Sequence, residues 1–159
     1  MRILVTGGAG FIGSHIVDAF VAAGHQVAVV DNLNTGKLAN LNPAASFFQV
    51  DIREADGVAR AVEQVQPEVM LQQGALGDVR GSVREPDAYA DVNIIGSIRL
   101  LELARQHGVR KVLYASTGGA VYGEPEYVPV REDHAINPLA PYGASKHTVE
   151  HYLFIYRHN

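Results

Sequence analysis

The sequence predicts an α/β fold, a doubly wound parallel sheet with helices on both faces. Three observations carry this expectation. Short, continuously apolar runs alternate with longer segments of helical period. Runs that are apolar at every position belong to strands buried on both faces, as parallel strands are. The residues of special chemistry (Gly7, Asp31, Asp51, Gly74 and Ser116) fall at the carboxyl ends of those runs. Open α/β sheets bind their ligands at those ends.

The elements follow in order. Ile3-Leu4-Val5 is the first strand, bounded by Gly7 and Gly8. Residues 11–23 are helical, with Ile12, Ile16, Phe20 and Ala23 at helical spacing, and Gly24 marks the helix end. Residues 27–30 form the second strand, which runs into Asp31, and the polar, turn-rich residues 32–43 form a loop. Residues 47–50 are the third strand. A helix over 54–66 is stopped by Pro67 and turns Glu54, Arg60 and Glu63 to solvent. Residues 69–71 are the fourth strand, followed by a glycine-broken loop over 74–81. Residues 87–107 read as one long helix, with apolar Val92, Ile95, Leu100, Leu101 and Leu103, closed by Gly108. Residues 112–114 are the fifth strand, 116–138 are loop-rich, and a last helix starts at Ala140. No repeat or linker interrupts the pattern, so residues 1–159 read as one domain.

Composition narrows the function classes. The chain is 47% hydrophobic and 19% charged, as soluble globular proteins are. A net charge of −4 argues against nucleic acid and anionic membranes as partners. The absence of cysteine excludes disulfides and thiolate metal sites. No run of about 20 apolar residues could span a bilayer, and Met1 to Thr6 is too short for a signal peptide. A cytoplasmic location is the expectation. His147-x-x-Glu150-His151 matches the H-x-x-E-H pattern of one metalloprotease class. No other part of a protease is visible, so an exposed helix face is expected there, and no metal. His15 is expected to be solvated or near bound phosphates, while Tyr152, Phe154 and Tyr156 are expected to pack.

The stretch V-T-G-G-A-G-F-I-G-S-H joins the first strand to the first helix. Gly7, Gly10 and Gly13 recur at every third position, and Gly8-x-Gly10-x-x-Gly13 also fits the dinucleotide fingerprint. One glycine makes the tight turn, one lets a pyrophosphate approach the backbone, and one lets helix pack against strand. The helix N-terminus then faces the phosphates. Asp31, at the end of the second strand, can accept hydrogen bonds from the adenosine ribose. Its charge repels a 2′-phosphate, which favours NAD over NADP. Asp51-Ile52 stands where an adenine could pack, although Asp51 could equally cap the next helix.

Tyr142 and Lys146 stand one helical turn apart, on one face. A nearby ammonium, with a positive nicotinamide ring, stabilises tyrosinate and makes a phenol usable as a general base. Ser116 and Thr117 offer hydroxyls after the fifth strand.

The stretches TGGAGFIGSHIVD, DNLNTGK, VDIRE, VNIIGSIRLLE, YASTGGAVYGEP and NPLAPYGASKHTVEHYL run over nearly the whole chain. Together they resemble the extended short-chain dehydrogenase/reductases, in particular the UDP-glucose (UDP-galactose) 4-epimerases and their epimerase/dehydratase relatives. The resemblance implies a Rossmann sheet of order 3-2-1-4-5 and an NAD that stays bound through the cycle. It implies that Tyr142 is the base and that Lys146 holds the nicotinamide ribose. A hydroxyl after the fifth strand binds the sugar. Counting forward from the strand favours Thr117, with Ser116 as its neighbour, whereas counting back from Val121-Tyr122-Gly123 lands on Gly118. Asn93 orders the active-site backbone. Further cofactor contacts are implied at Gly7, Gly10, Phe11, Ile12, Gly13, Asp31, Asn32, Asp51, Ile52, Gln73, Gly74 and Ala75. In the implied chemistry the 4-hydroxyl proton goes to the tyrosine and the hydride to NAD, and the keto sugar turns over before reduction. The fourth-strand motif departs from the family pattern, reading LQQGALG where a histidine and an alanine pair are usual. Family members are about twice this length, so the carboxyl-terminal substrate domain is expected to be absent from this chain. Three functions remain open: a nucleotide-sugar 4-epimerase, a minimal oxidoreductase of small carbonyls or alcohols, and a non-catalytic NAD-binding fragment. A homodimer or larger assembly is expected, through the helices over 87–107 and from 140 onward. The fifth strand is expected to leave an unpaired apolar edge.

Overall fold

Apolar, largely β-branched side chains build the sheet. In the computed structural model, which describes residues 1–158, the strands are β1 (Arg2–Thr6), β2 (Gln26–Asp31), β3 (Ser46–Gln49), β4 (Val69–Gln72) and β5 (Lys111–Tyr114). All pair in parallel, in the order β3-β2-β1-β4-β5. This is the Rossmann order that the resemblance implies. Val5 is in register with Val29 of β2 and Leu71 of β4. The register sets Thr6 beside Val30 and Gln72, so the loops after these three strands leave from one edge. The helices are α1 (Phe11–Ala22), α2 (Ala55–Val65), α3 (Val79–Arg84), α4 (Pro86–Tyr89), α5 (Gly96–Gln106), α6 (Gly118–Val121) and α7 (Pro141–His158). A π-helical segment, Ala90–Ile95, joins α4 to α5. Among the described residues no helix is long and apolar enough to cross a membrane.

The chain divides into two compact units. The first comprises residues 1–75 and 99–115 and contains the whole sheet. Its strands alternate by face, as a two-residue period requires. Ile3, Val5, Val27, Val29, Val69 and Leu71 join Val17 of α1 in one core, with Ile16, Phe20 and Val21 packed against it. The intervening residues Leu4, Ala28, Val30 and Met70 are equally buried. α2 lies against β1 and β2, burying Val58, Ala61 and Val62. Burying one such Val or Leu contributes roughly 1.5–3 kcal/mol, so both faces of the sheet carry weight.

α1 departs from its expected stripe. Ile12 is 61% and Phe11 79% exposed, while Gly13, Ser14 and Val17 are buried. The helix turns its smallest side chains to the sheet at its first turn, which rotates the large ones outward.

The second unit comprises residues 76–98 and those from 116 onward, and it corrects the expected elements in three places. The expected loop over 74–81 contains the start of α3, capped by Asp78, whose side chain accepts from the Arg80 amide at 3.0 Å. The expected helix over 87–107 begins at Pro86, a favoured first position, and carries the π turn. The Ser97 hydroxyl donates to the Asn93 carbonyl there, and such back-bonding loosens the helical ladder. The expected loop over 116–138 contains the one-turn α6 and is pinned by His134. That buried ring accepts from the Glu126 amide at 3.0 Å and stands against Tyr122 and Tyr127. α7 packs on α3, α4, the π segment and α6.

Candidate cofactor cradle and catalytic helix

Of the four glycines after β1, Gly7, Gly10 and Gly13 meet different surroundings. Gly7 has φ +71°, and a Cβ there would lie 2.5 Å from the Gly74 nitrogen. A Cβ on Gly13 would lie 2.1 Å from the Gly7 carbonyl oxygen, so only glycine lets α1 come this close. A Cβ on Gly10 would meet only the Gly7 oxygen, at 3.3 Å, which leaves its outer face open. Gly10 is the N-cap of α1, no side chain caps the helix, and no acidic residue stands in its first turn. A helix that leaves its first amides uncapped favours a bound anion. This donor set fits the pyrophosphate of a dinucleotide.

The hydroxyl of Thr6 was not anticipated. It accepts from the Gly74 amide at 3.2 Å, while the Thr6 carbonyl accepts from the Gln73 amide at 3.0 Å. This ties the loop carrying Gln73, Gly74 and Ala75 to the glycine loop. The threonine preceding the glycine pair was the available signal.

Asp31 is 8% exposed. Its Oδ2 accepts from the Ala9 amide at 3.0 Å and its Oδ1 from the Leu33 amide at 2.8 Å. These bonds aim the carboxylate and leave it further acceptor capacity, since two carboxylate oxygens offer about four lone pairs. A pair of ribose hydroxyls could use it.

Asp51 is not the helix cap that it could equally have been. Glu54 holds the N-cap position of α2. Arg53 grips Asp51 with Nε to Oδ1 at 3.0 Å and Nη2 to Oδ2 at 3.0 Å, and Asn32 donates to Oδ2 at 2.8 Å. The Arg53 side-chain hydrogen bonds hold the Asp51 carboxyl at about 2, against the opposing effect of burial. A carboxyl lowered in the folded state adds stability above its ordinary value of 3.8. That stability is lost as pH falls through about 2. Arg53→Ala is therefore expected to be less stable than the parent near pH 7, and the difference should shrink between pH 4 and 2. Urea unfolding across that range checks it; a gap that stays constant would remove Arg53 from this role. Ile52, beside this cluster, is buried.

The remaining site residues lie in the second unit. Tyr142 is half-buried and Lys146 is 4% exposed, one turn apart on α7. Burial pushes the Lys146 ammonium down to about 8, while the Glu150 carboxylate raises it. Between the pair, Ser145 donates to the Tyr142 carbonyl at 2.7 Å and accepts from Asn93 Nδ2 at 3.0 Å. Asn93 is 1% exposed. It also accepts from the Leu76 amide at 2.8 Å and donates to the Leu76 carbonyl at 3.1 Å. Asn93 thus links the Leu76 backbone to Ser145 of α7.

The two candidate hydroxyls differ. Ser116 donates to Glu150 Oε1. Thr117 is the N-cap of α6, and its side chain makes no capping bond. The H-x-x-E-H stretch is used within the helix: His147 Nδ1 meets Glu150 Oε2 at 2.8 Å, and the His147 and His151 Nε2 atoms are 3.0 Å apart. His15 is exposed, edge-on to Phe11. Phe154 corrects its expectation of packing: it is 65% exposed, with its ring against that of His158.

Comparison with known proteins agrees with the fold and the motifs. A crystal structure of the Thermus thermophilus UDP-glucose 4-epimerase in complex with NAD is 50% identical, with a TM-score of 0.95, over 98% of this chain and 50% of that one. The Thermotoga maritima UDP-glucose 4-epimerase, solved with UDP-glucose, is 45% identical, with a TM-score of 0.97, over 100% of this chain and 52% of that one. The UDP-glucose 4-epimerase of Mycolicibacterium smegmatis is 44% identical over 99% of this chain and 51% of its own length. This chain spans about half the length of the curated relatives that it matches. The profile of the NAD dependent epimerase/dehydratase family matches residues 3–159, and the chain belongs to that family.

Proposed function

We propose that this chain is the cofactor-binding and proton-transferring half of an NAD-dependent nucleotide-sugar 4-epimerase of the UDP-glucose type. The observation that carries the reading is Asp31, aimed by two backbone amides beside a glycine loop whose helix is left uncapped. When bound, NAD supplies the transient oxidation at C4 of the sugar. Tyr142 accepts the proton of the 4-hydroxyl and later returns it. Lys146 holds the nicotinamide ribose and supplies the positive charge that a phenolate needs. Thr117, whose side chain is not spent on capping, hydrogen-bonds the sugar hydroxyl, with Ser116 as its anchored neighbour. Gly7, Gly10, Gly13, Phe11 and Ile12 line the pyrophosphate, and Asn32, Asp51 and Ile52 the adenosine. Gln73, Gly74, Ala75 and Asn93 border the nicotinamide side. The exposed Ile95, Phe154 and Ile155 support assembly into a homodimer or larger oligomer.

Calorimetric titration tests the cofactor part. NAD is expected to bind more tightly than NADP. In Asp31→Asn, which keeps the shape and removes the charge, that preference should shrink by about ten- to a hundredfold, the value of a hydrogen bond to a charged group. Equal affinity for NAD and NADP in the parent chain would overturn the reading. Conversion of UDP-galactose to UDP-glucose in a coupled assay tests the substrate. NAD binding without turnover would leave the non-catalytic fragment.

A further inference from the structure

The carboxylate of Glu150 has no part in the proposed chemistry, yet it joins three features of the second unit. It lies one turn beyond Lys146 on α7, accepts the Ser116 hydroxyl on Oε1, and faces His147 Nδ1 through Oε2 at 2.8 Å. Ser116 immediately precedes Thr117, so the hydrogen bond restrains the backbone from which the Thr117 side chain projects. Lys146 is 4% exposed, and an ammonium so buried needs a nearby negative charge to stay protonated. Glu150 supplies such a charge.

We propose that Glu150 is a positioning residue of the reaction: its carboxylate anchors the Ser116–Thr117 segment to the catalytic helix and keeps the buried Lys146 charged, with His147 holding the carboxylate in place. The hydrogen-bond directions are mutually consistent. His147 donates from Nδ1 to Glu150 and so presents Nε2 as an acceptor, which His151 Nε2 meets at 3.0 Å. Both Glu150 oxygens are thereby engaged, which fixes the rotamer beside Lys146. The elements packed on α7 bring Arg80 and Arg84 of α3, Asp87 of α4 and Asp91 of the π segment. Arg84 pairs with Asp78 at 3.6 Å. A test must leave these charges in place. The inference rests on the roles proposed for Thr117 and Lys146.

Glu150→Gln removes the charge and keeps the shape. Two readouts need no turnover. In NMR titration of the Lys146 side chain, the variant's midpoint is expected about one pH unit below the parent's, since burial is then opposed by one negative charge fewer. Amide exchange over residues 116–121 is expected to quicken at least tenfold. Ser116→Ala should quicken it equally, and the double variant should add nothing further. An unchanged Lys146 midpoint would overturn the proposal. So would an upward move towards an ordinary lysine, which signals a site that has merely loosened. Unchanged exchange would overturn the anchoring. Failure of the epimerase reading looks different: UDP-galactose would then not turn over, while both of these readouts still responded.

Discussion

Replacing Tyr142 with phenylalanine is expected to lower turnover by about 10²–10⁴-fold, the usual contribution of a general base, while NAD affinity stays within about twofold. The substitution removes one oxygen and keeps the ring, so the packing of this half-buried side chain on α7 is preserved. What disappears is the oxygen proposed to take the sugar proton. The pH dependence of the parent chain's proposed turnover carries a second signature. Burial pushes the Lys146 ammonium down to about 8, so its positive charge is expected below that value and lost above it. Turnover should decline above about pH 8 for that reason. A coupled spectrophotometric assay over pH 6–10, beside calorimetric NAD titration, measures both. Retention of more than a tenth of the parent rate in Tyr142→Phe would dismiss the tyrosine as base.

Gly7→Ala is expected to cost about 2–5 kcal/mol of folding stability and to abolish measurable NAD binding. The cost has two sources. A left-handed backbone costs a non-glycine residue roughly 1–2 kcal/mol, and Gly7 sits at φ +71°. Overpacking adds roughly 1–3 kcal/mol, because the new Cβ would stand 2.5 Å from the Gly74 nitrogen and 2.8 Å from the Gln73 carbonyl carbon. Neither neighbour is a flexible side chain, so the loop after β4 must move. Gly24 is the natural control. It has φ +78°, and a Cβ there meets nothing within 4 Å. Gly24→Ala should therefore show only the conformational cost and bind NAD normally. Urea midpoints of the two variants separate the terms. If both lose the same stability, the approach of Gly7 to Gly74 is not what demands glycine.

These two positions were legible in the sequence for different reasons. Gly7 belongs to a run whose spacing has one physical use, and Tyr142 lies one turn from Lys146 in a stretch that matches the family. The sheet was legible because its strands are buried on both faces and therefore uniformly apolar, as in Val27 to Val30. α3 was not, because Gly81 and the two valines among its six residues are poor helix formers, and Asp78 gave the only start signal. The pairing of Thr6 with Gly74 spans 68 residues, and that of Asn93 with Ser145 spans 52. No local pattern reports such partners, since they exist only once the chain has folded. The outward turn of Phe11 and Ile12 is invisible in the periodicity for a related reason. Periodicity marks where apolar side chains recur, whereas the close approach of Gly13 to Gly7 decides which side of α1 faces the sheet.

The π turn over Ala90–Ile95 has a consequence for how the chain tolerates insertions and deletions. A π turn closes its hydrogen bond over one more residue than an α turn. The next helical turn is therefore rotated by about 100° from where an unbroken helix would set it. Asn93 lies within the π turn and Ser97 just beyond it, both buried. Removing a single residue here would restore a regular helix and swing Ser97 out of phase, although the segment's composition would hardly change. The segment's length is thus a coded quantity in its own right. Substitutions that spare Asn93 and Ser97 meet a milder constraint than any change of one residue in the count.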